Sequence, residues 1–327
     1  MEIFDFLSKF RDSSGQSSAD EIRPRDELWE AVDLVVKLSH PNICYVSNYR
    51  KKLMPAVEHT LKYADELIVQ MPAPISIEAD SWNTNPFVRS TFLNNNEFKK
   101  LFSEHQTLKE FFQKTNATGC CALLLMNRKN KKILGTEIDG EIIKREVLQT
   151  TVEFSDHQIV APMISEEETR KELSLRALAL LATHSLEDIL SLIEWKRDME
   201  TEKRILEIKL HIRDARVHSR KSFLPDIPDN TEKTGEVYEV LGQLDRKIAE
   251  VRLELDEPED YLNRVTELLY HPEQFLRAET VRILVNDMNI IKKNEHQGKV
   301  DEIRFAEFST ATGLRKAAVL VDYKRFL

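Results

Sequence analysis

The sequence predicts an α+β fold: an antiparallel β-meander and a C-terminal β-hairpin covered by helices, with a long helical-hairpin (antiparallel coiled-coil) arm. Three observations predict it. Residues 119–163 are rich in β-formers around an Asp139-Gly140 pair, and a second pair of β-rich runs closes the chain. Between them lie about 130 residues of helical pattern. Within that stretch, Leu241, Leu244, Ile248, Val251 and Leu255 recur at alternating spacings of 3 and 4, which is a coiled-coil seam.

The chain opens with "MEIFDFLSKF", where Ile3, Phe4, Leu7 and Phe10 share one helical stripe. A polar linker, "RDSSGQSSADEIRPRDE", follows. The stripe either packs back on the body, docks on a partner or touches a membrane surface; with so little positive charge, membrane attachment is weak. Two helices come next. "DELWEAVDLVVKL" turns Leu28, Val32 and Val35 inward, and the second runs from Tyr45 to Ile68, with Pro55 near its first turn or at a kink. The aromatic-rich stretch from Phe87 to Phe112 has helical spacing, so core packing is preferred there over stacking on bases.

From Gly119 the pattern changes. "CCALLLM" is a continuous apolar run, expected of a strand buried on both faces or of a short buried helix. Asp139-Gly140 supplies the positive φ angles of a two-residue hairpin turn. "QTTVEF" and "HQIVAP" read as further short strands of a meander. At the C-terminus, "DEIRFAEFS", a Thr-Ala-Thr-Gly turn and "RKAAVLVDYKRF" form the second hairpin. A lone hairpin is marginal in water, so this one is expected to join the meander.

Ser165, with Glu168 three residues on, is a capping-box start for a helix that runs without Gly or Pro to about Lys221. Its first part is apolar. Beyond Lys196 only Met199, Leu206, Leu210 and Val217 remain as a thin stripe. Residues 195–222 carry 9 Lys/Arg and 5 Asp/Glu, whereas residues 226–260 carry 4 and 12, so a basic outgoing helix faces an acidic return helix. At ~1.5 Å per residue the return spans about 30 Å, the length of residues 199–221. Two more helices are expected after Pro258, the second starting at Pro272 and presenting Phe275, Val281, Leu284 and Ile291. The chain thus divides into an amphipathic segment (1–12), a linker (13–26), a helical and β-meander part of the body (27–163), a helical region (164–298) holding the arm (about 196–257), and a hairpin (299–327) packed on the body.

Function classes narrow less. A net charge of −9 gives no global attraction to nucleic acid or anionic lipid, so neither partner is expected. With 8 Gly in 327 residues and no phosphate-binding or nucleophile-elbow motif, nucleotide enzymes and hydrolases are disfavoured, and no cofactor or metal is expected. Cys44, Cys120 and Cys121 match no zinc spacing and read as buried thiols of a reducing, cytoplasmic compartment. No signal peptide stands at the start. His184 with Asp188, and Asp156 with His157, are possible metal or acid–base pairs, although surface chance accounts for them better. His211 and His218 lie one heptad apart on the basic helix and read as solvated. Arg213, Arg216, Arg220 and Lys221 form a basic patch at the arm tip. The expected function is a protein-interaction or scaffold role through the arm, by a protein partner or self-association. The competing class is an enzyme with its site between the sheet and the Phe-rich helices.

Overall fold

The computed structural model describes residues 25–139, 142–223, 232–292 and 300–325. The amphipathic segment 1–12 and nearly all of the linker therefore lie outside the described residues.

The two expected early helices form. α1 (Arg25–Leu38) buries Leu28, Val32 and Val35, and a single 3-10 turn at Pro41–Tyr45 leads into α2 (Tyr49–Val69). The helix continues through Pro55, whose ring is exposed. A short strand, β1 (Ile75–Ile77), precedes four short helices: α3 (Ser81–Thr84), α4 (Pro86–Thr91), α5 (Asn95–Glu104) and α6 (Gln106–Thr115). Asn85 and Asn94 cap α4 and α5 by accepting from the backbone N–H groups of Phe87 and Glu97.

The region expected to be a meander is one long ribbon. β2 (Gly119–Asp139) and β3 (Ile142–Met163) pair antiparallel along almost their whole length. The breaks expected between short strands are bulges instead. Register shifts fall at Cys121/Leu123, Leu125/Asn127 and Gly135/Glu137, and the facing stretches of β3 hold Ala161, Asp156 and Glu146 at positive φ. A bulge absorbs an extra residue and leaves the pairing intact on either side. Pairing extends to Asp139 opposite Ile142, and Gly140 lies outside the described residues.

α7 (Glu166–Phe223) follows, then α8 (Glu232–Glu254) and α9 (Pro258–Tyr270). Glu168 donates its backbone N–H to Ser165 Oγ, and its carboxylate accepts from the N–H of Ile164, one residue earlier than in the standard box. The helix expected from Pro272 is absent. One 3-10 turn at Pro272–Gln274 gives way to β4 (Leu276–Val285), then β5 (Ile291–Lys292), so the helical region ends at Tyr270 rather than near 298. The cause is visible in "TVRILV". Val281, Ile283 and Val285 alternate with polar or outward residues, and this period of 2 turns them into the core beneath the sheet. β6 (Asp301–Thr310) and β7 (Arg315–Lys324) make the expected C-terminal hairpin, with Gly313 at φ +82° in its turn.

The strands join one sheet in the order β3-β2-β7-β6-β4-β5, and β1 pairs parallel with β7. Thus β7 sits at the centre, antiparallel to β2 from Gly119↔Lys324 to Met126↔Ala317. "CCALLLM" is a strand buried on both faces. Cys120, Ala122, Leu124 and Met126 face the Phe-rich helices, and Cys121 and Leu123 face the ends of α2 and α7. A separate helical core joins α1, α2, α9 and the first half of α7 through Val32, Leu53, Leu178, Ile189 and Val265.

Candidate functional site

α7 changes character along its length. Leu178, Leu181 and Ile189 are buried in the helical core. Beyond Trp195 the described part of the helix meets a thin apolar cluster: Met199, Leu244, Ile248 and Val251 are buried together, with Leu206 packed against them. Leu210 is buried and Leu241 half-buried. Leu255, read as the last residue of the seam, belongs to the helical core of the body, because α8 ends at Glu254 and the chain there turns into α9. The side chain of Val217 lies outside the described residues.

Ion pairs flank the cluster. Lys203 Nζ lies 2.5 Å from Asp245 and 3.7 Å from Glu207, and Arg252 reaches Glu200 at 3.4 Å. The hydrogen bond to Asp245 holds the Lys203 ammonium above its ordinary pKa. Of the basic patch, Arg213 is half-buried and Arg216 exposed, while the side chains of Arg220 and Lys221 lie outside the described residues. His211 and His218 are exposed.

The sequence reading missed a second stripe on α7. Ile205, Ile208 and Ile212 are about half exposed. Their spacing of 3 and 4 was available as a signal, but it interleaves with that of Leu206 and Leu210, and the two stripes look like one scattered set.

The space between the sheet and the Phe-rich helices is closely packed, with a cleft at its edge lined by Ser90, Leu93, Lys131, Glu153 and Met288. Phe92, Phe98, Phe102 and Tyr323 pack ring against ring, with centroids 5.1–6.3 Å apart. His157 is buried there, stacked on Phe92 at 4.4 Å. Its Nε2 is 3.1 Å from the Thr91 carbonyl and its Nδ1 3.8 Å from Glu97. Burial lowers its pKa, and Glu97 and the carbonyl oppose that only in part. Asp156 points elsewhere and accepts from Asn127, so the pair forms no acid–base couple. His105 is also held low by burial, and its Nε2 accepts the backbone N–H of Ile159.

The other candidates separate as well. His184 contacts Glu187 and Asp188 contacts Arg264, at 2.9 and 2.7 Å, so the two side chains turn to different partners. Among the described residues no group of three His, Cys, Asp or Glu side chains is placed to hold one. Cys120 and Cys121 are buried thiols, and desolvation pushes Cys120 up to about 12. Cys44, expected to be buried, is exposed, because its 3-10 turn inserts only Ile43 into the core. It borders an open cleft lined by Asp26, Trp29, Glu30 and Tyr49, in which Arg50 sits over both aromatic rings and pairs with Asp33. Among the described residues, no helix is long and apolar enough to cross a membrane. Compared with known proteins, the chain matches no family model, no curated sequence and no solved structure.

Proposed function

We propose that this chain is a cytosolic protein-interaction or scaffold protein, and that its working surface is a coiled-coil arm formed by the outer part of α7 and by α8, about residues 196–257. One observation carries the reading: among the described residues, the contact between these segments is a narrow apolar cluster of four buried side chains with Leu206, beside buried Leu210, while most of their described surface is exposed and charged. A narrow two-helix contact buries little for its length. Such a structure has a use where something engages it, either a protein partner or a second copy. Three free thiols, one of them exposed, fit a reducing compartment.

Charge contributes through Arg213, Arg216, Arg220 and Lys221. Reversing all four to Glu is expected to abolish association while the melting temperature of the body stays within a few degrees. Association of the unaltered protein should weaken between 0.1 M and 1 M salt, as the screening length falls from ~10 Å to ~3 Å. A reversed protein that keeps its partners and its oligomeric state would show that this patch is not the contact.

A further inference from the structure

The face of α7 turned away from α8 carries an apolar stripe of its own. At ~100° per residue, Ile205, Ile208 and Ile212 fall within about 60° of one another, roughly opposite Met199, Leu206 and Leu210. They are 47%, 52% and 47% exposed. Single exposed apolar residues are ordinary on any protein. Three isoleucines in a row at spacings of 3 and 4 are the core pattern that one helix offers to another.

Charge identifies the kind of helix. With Ile205, Ile208 and Ile212 as core positions, the flanking positions that meet a partner's charges are Glu202, Arg204, Lys209, His211 and Arg216, one acid among four basic residues. All five are exposed, and no acid among the described residues pairs with Arg204, Lys209 or Arg216. Of the other acids, Glu200 contacts Arg252 on α8 and Glu207 contacts Lys203 on α7 itself, and Arg204 shares a groove with both. Cations therefore predominate beside the stripe, with Glu202 at its N-terminal end. Two copies of this face in parallel would set Arg204 against Lys209 and His211 against Arg216, which disfavours that pairing. An apolar stripe bordered by Asp or Glu matches it on both counts.

We infer that the outward face of α7, Ile205, Ile208 and Ile212 flanked by Arg204, Lys209 and Arg216, docks an acidic amphipathic helix of another protein. The inference rests on the proposed role of the arm and names the surface and partner class.

The test uses the full chain and a labelled synthetic peptide of three heptads, with Ile and Leu at the core positions and Glu at the flanking ones. Binding is read by fluorescence anisotropy at about 0.1 M salt. A control peptide carries Lys at the flanking positions. The protein should bind the Glu peptide and not the Lys peptide. Ile205→Gln, Ile208→Gln and Ile212→Gln together should weaken binding roughly a hundredfold, since three half-exposed isoleucines lose their chance of burial. Gln is a good helix former, so α7 should persist. Arg204→Glu, Lys209→Glu and Arg216→Glu together should reverse the preference to the Lys peptide, a result that an unfolded variant would not give.

Equal binding of both peptides, or binding that survives the Gln substitutions, overturns the inference. So does sedimentation showing a dimer that those substitutions dissolve, because a second copy would then cover the stripe. Attachment to phosphatidylserine vesicles without peptide binding overturns it in favour of a lipid surface. If a native association survives the Gln substitutions but is lost on deleting residues 199–252, this inference fails and the wider role of the arm stands. If the deletion removes no association, both fail.

Discussion

Replacing Leu244 and Ile248 together by Asp probes the contact between α7 and α8. The two side chains are 7% and 5% exposed, and they supply half of the four buried residues in the described cluster between these segments. Burying a Leu or Ile side chain stabilises by about 1.5–3 kcal/mol, so the pair accounts for about 3–6 kcal/mol. Each Asp adds the cost of a carboxylate pressed against Met199 and Leu206 with no donor to satisfy it. Among the described residues, what remains is Met199, Val251, Leu206, Leu210 and a few exposed ion pairs, and exposed pairs contribute little. α8 has Gly235 and Gly242 in its interior, each costing about 1 kcal/mol of helix propensity relative to Ala, so it cannot persist on propensity alone. The body has its own cores, none of which includes these residues. The expected result is loss of helical circular dichroism with the sheet signal unchanged. Amide hydrogen exchange should show α8 unprotected while β2 and β7 stay protected. Simultaneous loss of protection in β7 would place the two helices inside the main cooperative unit. Unchanged protection in α8 would show that the apolar cluster does not hold it.

Two further outcomes follow from the buried titratable groups. A thiol reagent at about pH 8 should modify Cys44 rapidly and Cys120 and Cys121 only on denaturation, since a pKa of about 12 leaves about one Cys120 in ten thousand as thiolate; three fast thiols would contradict the buried sheet. Burial lowers the pKa of His157 below the ordinary 6.5, so below that value the unfolded chain binds more protons than the folded one. Its contribution to stability is complete above about pH 6.5 and is lost as pH falls through the folded value. The melting temperature should therefore drop between about pH 7.5 and 5.5, and His157→Gln should shrink the drop; an undiminished drop would assign it to other groups.

Much of the fold was legible because its signals are local. The 3-and-4 spacing from Leu241 to Val251 needs only helix geometry to read, and the members of that set from Leu244 to Val251 do share one buried cluster. "CCALLLM" announced burial because every residue is apolar, and left strand and short buried helix open. The failures came where a distant partner decides the local structure. Residues 276–285 follow a proline and resemble a helix start, but pairing with β6 from Leu276↔Thr310 to Val285↔Asp301 makes them a strand. Asp156 lies at the junction of the two short strands expected from "QTTVEF" and "HQIVAP" and is a bulge within a long one, which becomes apparent only when both sides of the ladder are present. Leu255 kept the heptad spacing, yet the turn after Glu254 carries it into the helical core. The Ile205, Ile208 and Ile212 stripe was hidden by the seam it interleaves with, since one helix that serves two faces has no single hydrophobic direction.

The most direct measurement compares the intact chain with one in which residues 199–252 are replaced by a short Gly-Ser linker. The break points are already adjacent, since Glu200 and Arg252 lie 3.4 Å apart and Met199 packs in one cluster with Val251. Both proteins are used in affinity purification and sedimentation equilibrium, with the melting temperature recorded for each. The expected result is a body that melts within a few degrees of the intact protein and has lost both its protein partners and any self-association. A shortened protein that keeps every association would contradict the proposed role of the arm.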